Sequence, residues 1–468
     1  MRENQSETST DLSDGADEGA ADEGPADEGA ADEERTTRII EVLDDAFADL
    51  MTADPAAFRT KYRKMAADPH SFYRGTACLF YADVTADPDP FAGPRSSRMW
   101  IHGDLHVENF GTYLSSDGRL VFDVNDFDEA YVGRFTWDLQ RFVASLMLTC
   151  WQKALPAEVA RDLASAYLQA YLDQVQAYAD TDDDGDFALG LDNTEGPILA
   201  ALLEARAERR SDLLDPQTEV GDDGVRRFRE HPTVRRLDDD ERAAVVEAFE
   251  RYLGTIPADK RVDRELFYEV RDVVGKSGFG IGSAGLPAYN VLVEGWSEAL
   301  ENDVLLSMKQ ANVPAVSRFV DDEAVRDYFD DEGHRTVVSQ RALQRHTDQL
   351  LGHTVLDGKG YVVAEVSPYE TDLEWDDLID PDEIEGVVTL LGRATAKVHC
   401  ASDEDSEEDL VDYQVEEAVL HALDGRHDDL VEWLVDWGEQ YAVTVRRDHA
   451  LFVEAFRAGR IGGVPATA

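Results

Sequence analysis

Residues 101–110, IHGDLHVENF, are followed after an Asp-Gly turn by residues 120–130, LVFDVNDFDEA. Both runs alternate apolar and polar side chains as a short hairpin does. Yet they set Asp104, Asn109, Asp126 and Asp128 in a fixed order where a structural hairpin needs no carboxylate. Phosphoryl transfer needs such a series. One carboxylate orients or deprotonates the acceptor hydroxyl, and an Asn oxygen with a further Asp holds Mg²⁺ against the phosphates. Asp104 and Asn109 have the D-x-x-x-x-N spacing of a phosphoryl-transfer loop, and NDFDEA supplies Asp126 and Asp128 at the end of the next strand. The plain alternative, an Asp-Gly-rich turn in an acidic protein, leaves the order His-Gly-Asp, Asn, Asp-Phe-Asp unexplained.

The chain that carries this segment has 468 residues, 43% of them hydrophobic, enough for one large core or two to three smaller ones. Its net charge is −55, from 99 acidic and 44 basic residues, and only eight of the basic residues are lysine. Dense carboxylates with lysine removed resemble the surface of a protein from an extreme halophile, where molar salt shortens the Debye length to about 3 Å and screens self-repulsion. Such acidity argues against nucleic acid or anionic lipid as a partner, because their phosphates need a basic face. Cys78, Cys150 and Cys400 form neither a CxxC pair nor an even disulfide framework, which points to a reducing cytoplasm. No apolar run approaches the roughly 18 residues of a membrane helix, and no basic-then-apolar leader opens the chain, so no membrane partner is expected.

Five segments follow from composition and periodicity. Residues 1–35, rich in Ala, Gly, Asp and Glu, read as a disordered acidic tail. Residues 36–150 hold the motif region, ending in the buried-helix pattern FTWDLQRFVASLMLTCWQKAL. Residues 151–270 read as mostly helical, with acidic loops such as TDDDGD, and would shape an acceptor pocket. Residues 271–372 are glycine-dense and then strand-like, with a helix expected over 335–351 and a strand at GYVVAEVSPYE. Residues 373–468 are helical, interrupted by SDEDSEED. The class is α+β.

Within 271–372, Gly280-Ile281-Gly282-Ser283-Ala284-Gly285 fits GxGxxG, whose glycines let backbone amides approach phosphates. Leu286-Pro287 then leads into AYNVLVEG, a strand rather than the helix a dinucleotide site opens, so the segment reads as a strand-turn-strand flap. Lys309, in LLSMKQA on the next strand, stands where a kinase places the lysine that contacts the α- and β-phosphates; a snorkelling edge lysine is the alternative.

The series HGDLHVENF, NDFDEA and WDL resembles that of aminoglycoside and choline phosphotransferases, a branch of the protein-kinase-like fold. FYRG, GDLHVENFG, FDVNDFDEA, FTWDLQR, GIGSAG and VVSQRALQ resemble more closely the domain-of-unknown-function 2252 family, over residues 60 to 400. The first resemblance implies a two-lobe kinase-like fold using ATP and Mg²⁺ on a small hydroxyl-bearing acceptor. Asp104 would be the catalytic base, Asn109, Asp126 and Asp128 the metal ligands, and Gly280, Gly282, Ser283, Gly285 and Lys309 the nucleotide clamp. The second lends no activity.

Two departures stand out. The catalytic segment precedes the glycine segment by about 170 residues, the order that a circular permutation gives, and EIEGVVTLLGRATAKVH then resembles the helix before the catalytic loop. The helix after Lys309 contains no Glu to pair with it, leaving Glu323 and Asp348 as partners. Asp138 in WDL resembles the buried Asp that accepts backbone hydrogen bonds from a catalytic loop, and His102 is expected to brace that loop. Arg74 in FYRG either reaches a phosphate or ties a carboxylate. Two other readings stay open: a metal-dependent hydrolase using His102, Asp104, His106 and Asp126, and a nucleotide-binding pseudokinase that serves as a regulatory module.

Overall fold

In the computed structural model, residues 25–181, 187–276, 284–344, 346–401, 403 and 409–467 are described. Four helices open the chain: α1 (Pro25–Ala53), α2 (Pro55–Met65), α3 (Pro69–Arg74) and α4 (Ala77–Val84). Asp54 and Asp68 precede the prolines of α2 and α3, and each carboxylate accepts a backbone N–H of the first turn, at 2.9 and 2.8 Å. The motif region forms β1 (Met99–Ile101), β2 (Phe110–Leu114), β3 (Leu120–Val124) and β4 (Tyr131–Gly133). β2 pairs with β3 and β1 with β4, both antiparallel, so residues 102–109 and 125–130 become facing loops. Then come α5 (Phe135–Gln152), α6 (Ala157–Asp180), α7 (Gly196–Ala207), α8 (Arg210–Gln217), β5 (Thr218–Val220), β6 (Arg226–Phe228), β7 (Val234–Arg236) and α9 (Asp239–Tyr252).

The remaining elements are β8 (Val270–Lys276), β9 (Ala288–Val293), β10 (Val304–Gln310), α10 (Glu323–Tyr328), α11 (Glu332–Leu343), β11 (Gly352–Leu356), β12 (Lys359–Glu365), α12 (Pro381–Cys400), α13 (Val415–Leu423) and α14 (His427–Arg457). Six strands form one antiparallel sheet in the order β11-β12-β10-β9-β8-β7. Its alternation is chemical as well as geometric. Val291, Val293, Leu306, Met308, Tyr361 and Val363 pack with Phe249 and Tyr252 of α9 in one core. Asn290, Ser307, Lys309, Val362 and Ala364 turn the opposite way, into a cleft. A larger core joins α1–α6 with α12–α14. There α12 lies against α6 so closely that a Cβ at Gly392 would stand 2.2 Å from the Tyr167 carbonyl oxygen. No described helix is long and apolar enough to cross a membrane.

The α+β class holds, and three expectations need correction. The acidic tail does not extend to residue 35, because α1 begins at Pro25. Arg35 anchors that helix: its guanidinium binds Asp83 at 2.6 Å and Asp448 at 2.5 Å, and Thr36 is buried. An arginine between two carboxylates from α4 and α14 ties down a stretch whose composition alone suggests disorder. Residues 1–24 lie outside the described residues. The segment 151–270 is not a helical unit, since β7 joins the sheet and α9 covers it; short strands with outward Arg and Glu hide in charged sequence. The helix expected over 335–351 spans Glu332–Leu343, started by Asp331, which accepts the Gly333 N–H at 2.7 Å.

Candidate functional site

The site is built on the two facing loops, and Asp138 holds the first of them. From the first turn of α5, fully buried, it accepts the backbone N–H of His102 at 2.7 Å and of Gly103 at 2.9 Å. The Nε2 of His399, from α12, lies 3.2 Å from the same carboxylate. Helix α12 therefore packs beneath the loop. Gly103 has φ +79°, and a Cβ there would stand 2.1 Å from the Glu129 carbonyl oxygen, so only glycine lets the loops approach. His102 braces the pair through its Nε2, 2.8 Å from the Asn125 carbonyl oxygen.

Asp104 is positioned from beside and behind. The Nε of Arg141 donates to its Oδ1 at 2.6 Å, and the guanidinium lies 4.2 Å from the Tyr73 ring centroid. Burial pushes the Asp104 carboxyl above its ordinary range, and Arg141 pulls it back. The Nδ2 of Asn109 donates to the Asp104 carbonyl oxygen at 2.8 Å, and Asn109 lines neither of the two cavities at the site. His106 is buried, and its Nδ1 accepts the Glu108 N–H at 3.2 Å.

The second loop is braced by α11 and α12. Arg335 donates to the carbonyl oxygens of Ala130 at 3.0 Å and Asn312 at 2.7 Å, and Gln344 donates to Val124 O at 2.7 Å. Lys397 of α12 pairs with buried Asp123 and donates to Leu343 O at 3.0 Å. Within this frame Asp126 is exposed at φ +57°, a strained backbone for a residue with a Cβ. Its neighbour Asp128 is pushed up to about 6, by burial first and then by Asp126, against the pull of Lys309 and Arg335.

Two cavities meet at these carboxylates. The larger, about 560 Å³, lies between the second loop and the polar face of the sheet, lined by Asp126, Asp128, Lys276, Lys309, Asp348 and Glu370. That is within the roughly 300–1,000 Å³ of small-molecule sites. The smaller, about 40 Å³, is lined by Asp104, Asp126, Asp128, Glu129, Lys61 and Cys78 among others. Lys309 is exposed to the large cleft, with no carboxylate at ion-pair distance among the described residues. Asp348 shares its cleft, whereas Glu323 starts α10 and lines neither cavity.

Several site expectations need amendment. Gly285 is not among the residues lining either cavity; it sits at the α1–α2 corner, where a Cβ would be 3.3 Å from the Phe58 ring. Gly280, Gly282 and Ser283 lie outside the described residues. Arg74 does tie a carboxylate, that of Glu108. The hydrolase set does not converge, for no three His, Cys, Asp or Glu among the described residues are placed to share a metal ion, and both ring nitrogens of His102 face partners within the loops. Sequence reasoning passed over Arg141, Lys61, Lys276, Lys397 and Glu129. The scarcity of lysine was a usable signal, because four of the eight are the cleft and cavity lysines and the buried partner of Asp123.

No curated protein and no solved structure matches the chain. Residues 53–455 do match a family, described as an uncharacterized protein conserved in bacteria (DUF2252), and with that much of its length covered the chain belongs to this family.

Proposed function

We propose that the protein is an ATP- and Mg²⁺-dependent phosphotransferase acting on a small hydroxyl-bearing molecule, on a kinase-like plan in permuted order. The observation that carries this reading is that Asp126 and Asp128 line both cavities, with Lys309 in the large one and Asp104 in the small one. A nucleotide in the cleft would present its terminal phosphate to the two carboxylates, and an acceptor hydroxyl beside Asp104 would approach from the other side. The order along the chain of β8, the glycine-rich sequence, β9 and Lys309 on β10, with α10 and α11 after it, resembles that of a kinase nucleotide lobe.

The residues present fit the cofactor. Two carboxylates and an Asn oxygen are hard donors, and Mg²⁺ completes its shell with phosphate and water rather than an all-protein cage. Bound Mg²⁺ would neutralise charge on the transferring group. Asp104 would orient the acceptor hydroxyl and take its proton as the acceptor oxygen bonds phosphorus and the bond to the ADP oxygen breaks. Arg141 keeps one Asp104 oxygen engaged, which leaves Oδ2 for that proton.

The test is calorimetric titration of ATP, with and without Mg²⁺, in molar KCl, together with ADP formation. Wild type should bind Mg-ATP. Asp126→Ala should lose most of the Mg²⁺-dependent gain in affinity. Asp104→Asn should bind normally and lose about 10²-fold or more in ADP formation. A wild-type protein that ignores ATP with Mg²⁺ present would overturn the reading.

A further inference from the structure

Lys61 of α2 is only 3% exposed, and it lines the small cavity together with Asp104. Its Nζ lies 4.0 Å from the Phe47 centroid and 5.5 Å from that of Phe58, and the Glu129 and Asp104 carboxylates act on it only through space. No hydrogen bond or ion pair to it exists among the described residues. Cation–π contact returns about 0.5–2 kcal/mol, well short of what burying an ammonium group costs. Burial accordingly lowers its pKa to about 8.

Among the other charged groups lining the cavity, Asp126 and Asp128 are the proposed metal ligands, and the rest are engaged by neighbours. Asp104 is held by Arg141, Arg74 by Glu108, and Arg318 by Asp45 at 2.8 Å. The two carboxylate oxygens of Glu129 accept from Asn312 Nδ2 at 3.0 Å and from the Ala315 N–H at 2.5 Å. Two donors are left over, the Lys61 ammonium and the Nε of Arg74, which is buried without an acceptor. A water needs about 10–15 Å³ of such space, so a cavity of about 40 Å³ takes a group of three or so heavy atoms and not a sugar ring.

We infer that this cavity is an oxyanion site, in which Lys61 and Arg74 hold a carboxylate or phosphate group of the acceptor. The acceptor is then a small hydroxylated anion, such as a hydroxy acid or a phosphorylated polyol, rather than a cationic amino sugar or choline. The anion supplies the hydrogen-bond acceptors that the fold withholds from Lys61 and from the Nε of Arg74, and a hydroxyl a few bonds away falls beside Asp104. The identity of the acceptor rests on the phosphotransferase reading, whereas the anion site itself does not.

Thermal-shift and calorimetric titrations of inorganic phosphate and of acetate, without nucleotide and at fixed KCl and ionic strength, test the site. One of the two anions should bind wild type and Lys309→Ala alike and bind Lys61→Met at least tenfold more weakly; which one binds tells phosphate from carboxylate. In wild type, the bound anion should also slow reductive methylation of Lys61, read by mass spectrometry, a measurement that needs no variant to fold. Equal affinity in wild type and Lys61→Met, loss in Lys309→Ala alone, or unprotected Lys61 at saturating anion would overturn the inference. Mg-ATP binding by the same samples separates its failure from that of the phosphotransferase reading.

Discussion

The two walls of the cleft are built on opposite terms. The wall that carries Asp126 and Asp128, with Asp104 in the smaller cavity beside it, is fixed from behind by buried polar groups: Asp138 under the first loop, Arg335 and Gln344 against the second, Lys397 on Asp123. The facing wall is the polar side of a sheet whose Lys309 stands exposed and unpaired among the described residues. Carboxylates that must hold a cation at fixed spacing need rigid support, whereas a lysine that meets a mobile polyphosphate needs reach. Stability and ligand affinity should therefore respond to different residues.

The largest stability effect is expected at Asp138. Asp138→Ala strands two buried backbone N–H groups and removes the partner of His399, so chemical denaturation should show a loss of roughly 2–4 kcal/mol. A loss below about 0.5 kcal/mol would mean that the loop is held by something else.

Lys61 should act in the opposite direction. Its folded pKa of about 8 lies below its ordinary 10.5, so between these values the unfolded chain binds more protons and stability rises with pH. Cys78, Glu129 and Asp104 are the groups whose charges act on it, and they only moderate the effect of burial. Lys61→Met should therefore be more stable than wild type at pH 7, by up to about 3 kcal/mol. The gap should close as pH rises above 10. A constant gap across pH 7–10 would show that the ammonium is not the source.

Arg35→Ala should cost roughly 1–2 kcal/mol by releasing α1 from Asp83 and Asp448, and Asp448 is nearly fully buried. Hydrogen exchange should locate the loss in α1. At the small end, Lys309→Ala should shift stability by less than about 0.5 kcal/mol while weakening Mg-ATP binding tenfold or more. A destabilised Lys309→Ala with unchanged nucleotide affinity would erase the contrast between the walls.

Much of the rigid wall was legible in the sequence, because its chemistry is local. HGDLHVEN and NDFD flank one hairpin, the role of Asp138 is what the phosphotransferase resemblance implies for WDL, and that of His102 follows from its place before Gly-Asp. The helix α12 was readable from apolar spacing at Ile384, Val387, Leu391, Ala394 and Val398, all of them buried, and its place beneath the loop from the kinase resemblance. What stayed hidden depends on distant partners. Arg35 meets Asp448 across 413 residues, and Arg141 reaches Asp104 across 37. Lys61 gains its meaning only when α2 is folded against the hairpin. The strand β7 escaped because its Val-Arg-Arg has no apolar alternation of its own and is recruited by pairing with β8.

The central claim is that both walls serve one nucleotide. A crystal structure with Mg²⁺ and a non-hydrolysable ATP analogue, grown in molar KCl, tests it most directly. The account predicts the triphosphate in the large cleft, with Lys309 Nζ at hydrogen-bond distance from a phosphate oxygen and Mg²⁺ bound by Asp126 and by Asp128 or Asn109. An analogue bound elsewhere, or a cleft that stays empty at saturating analogue, would contradict it.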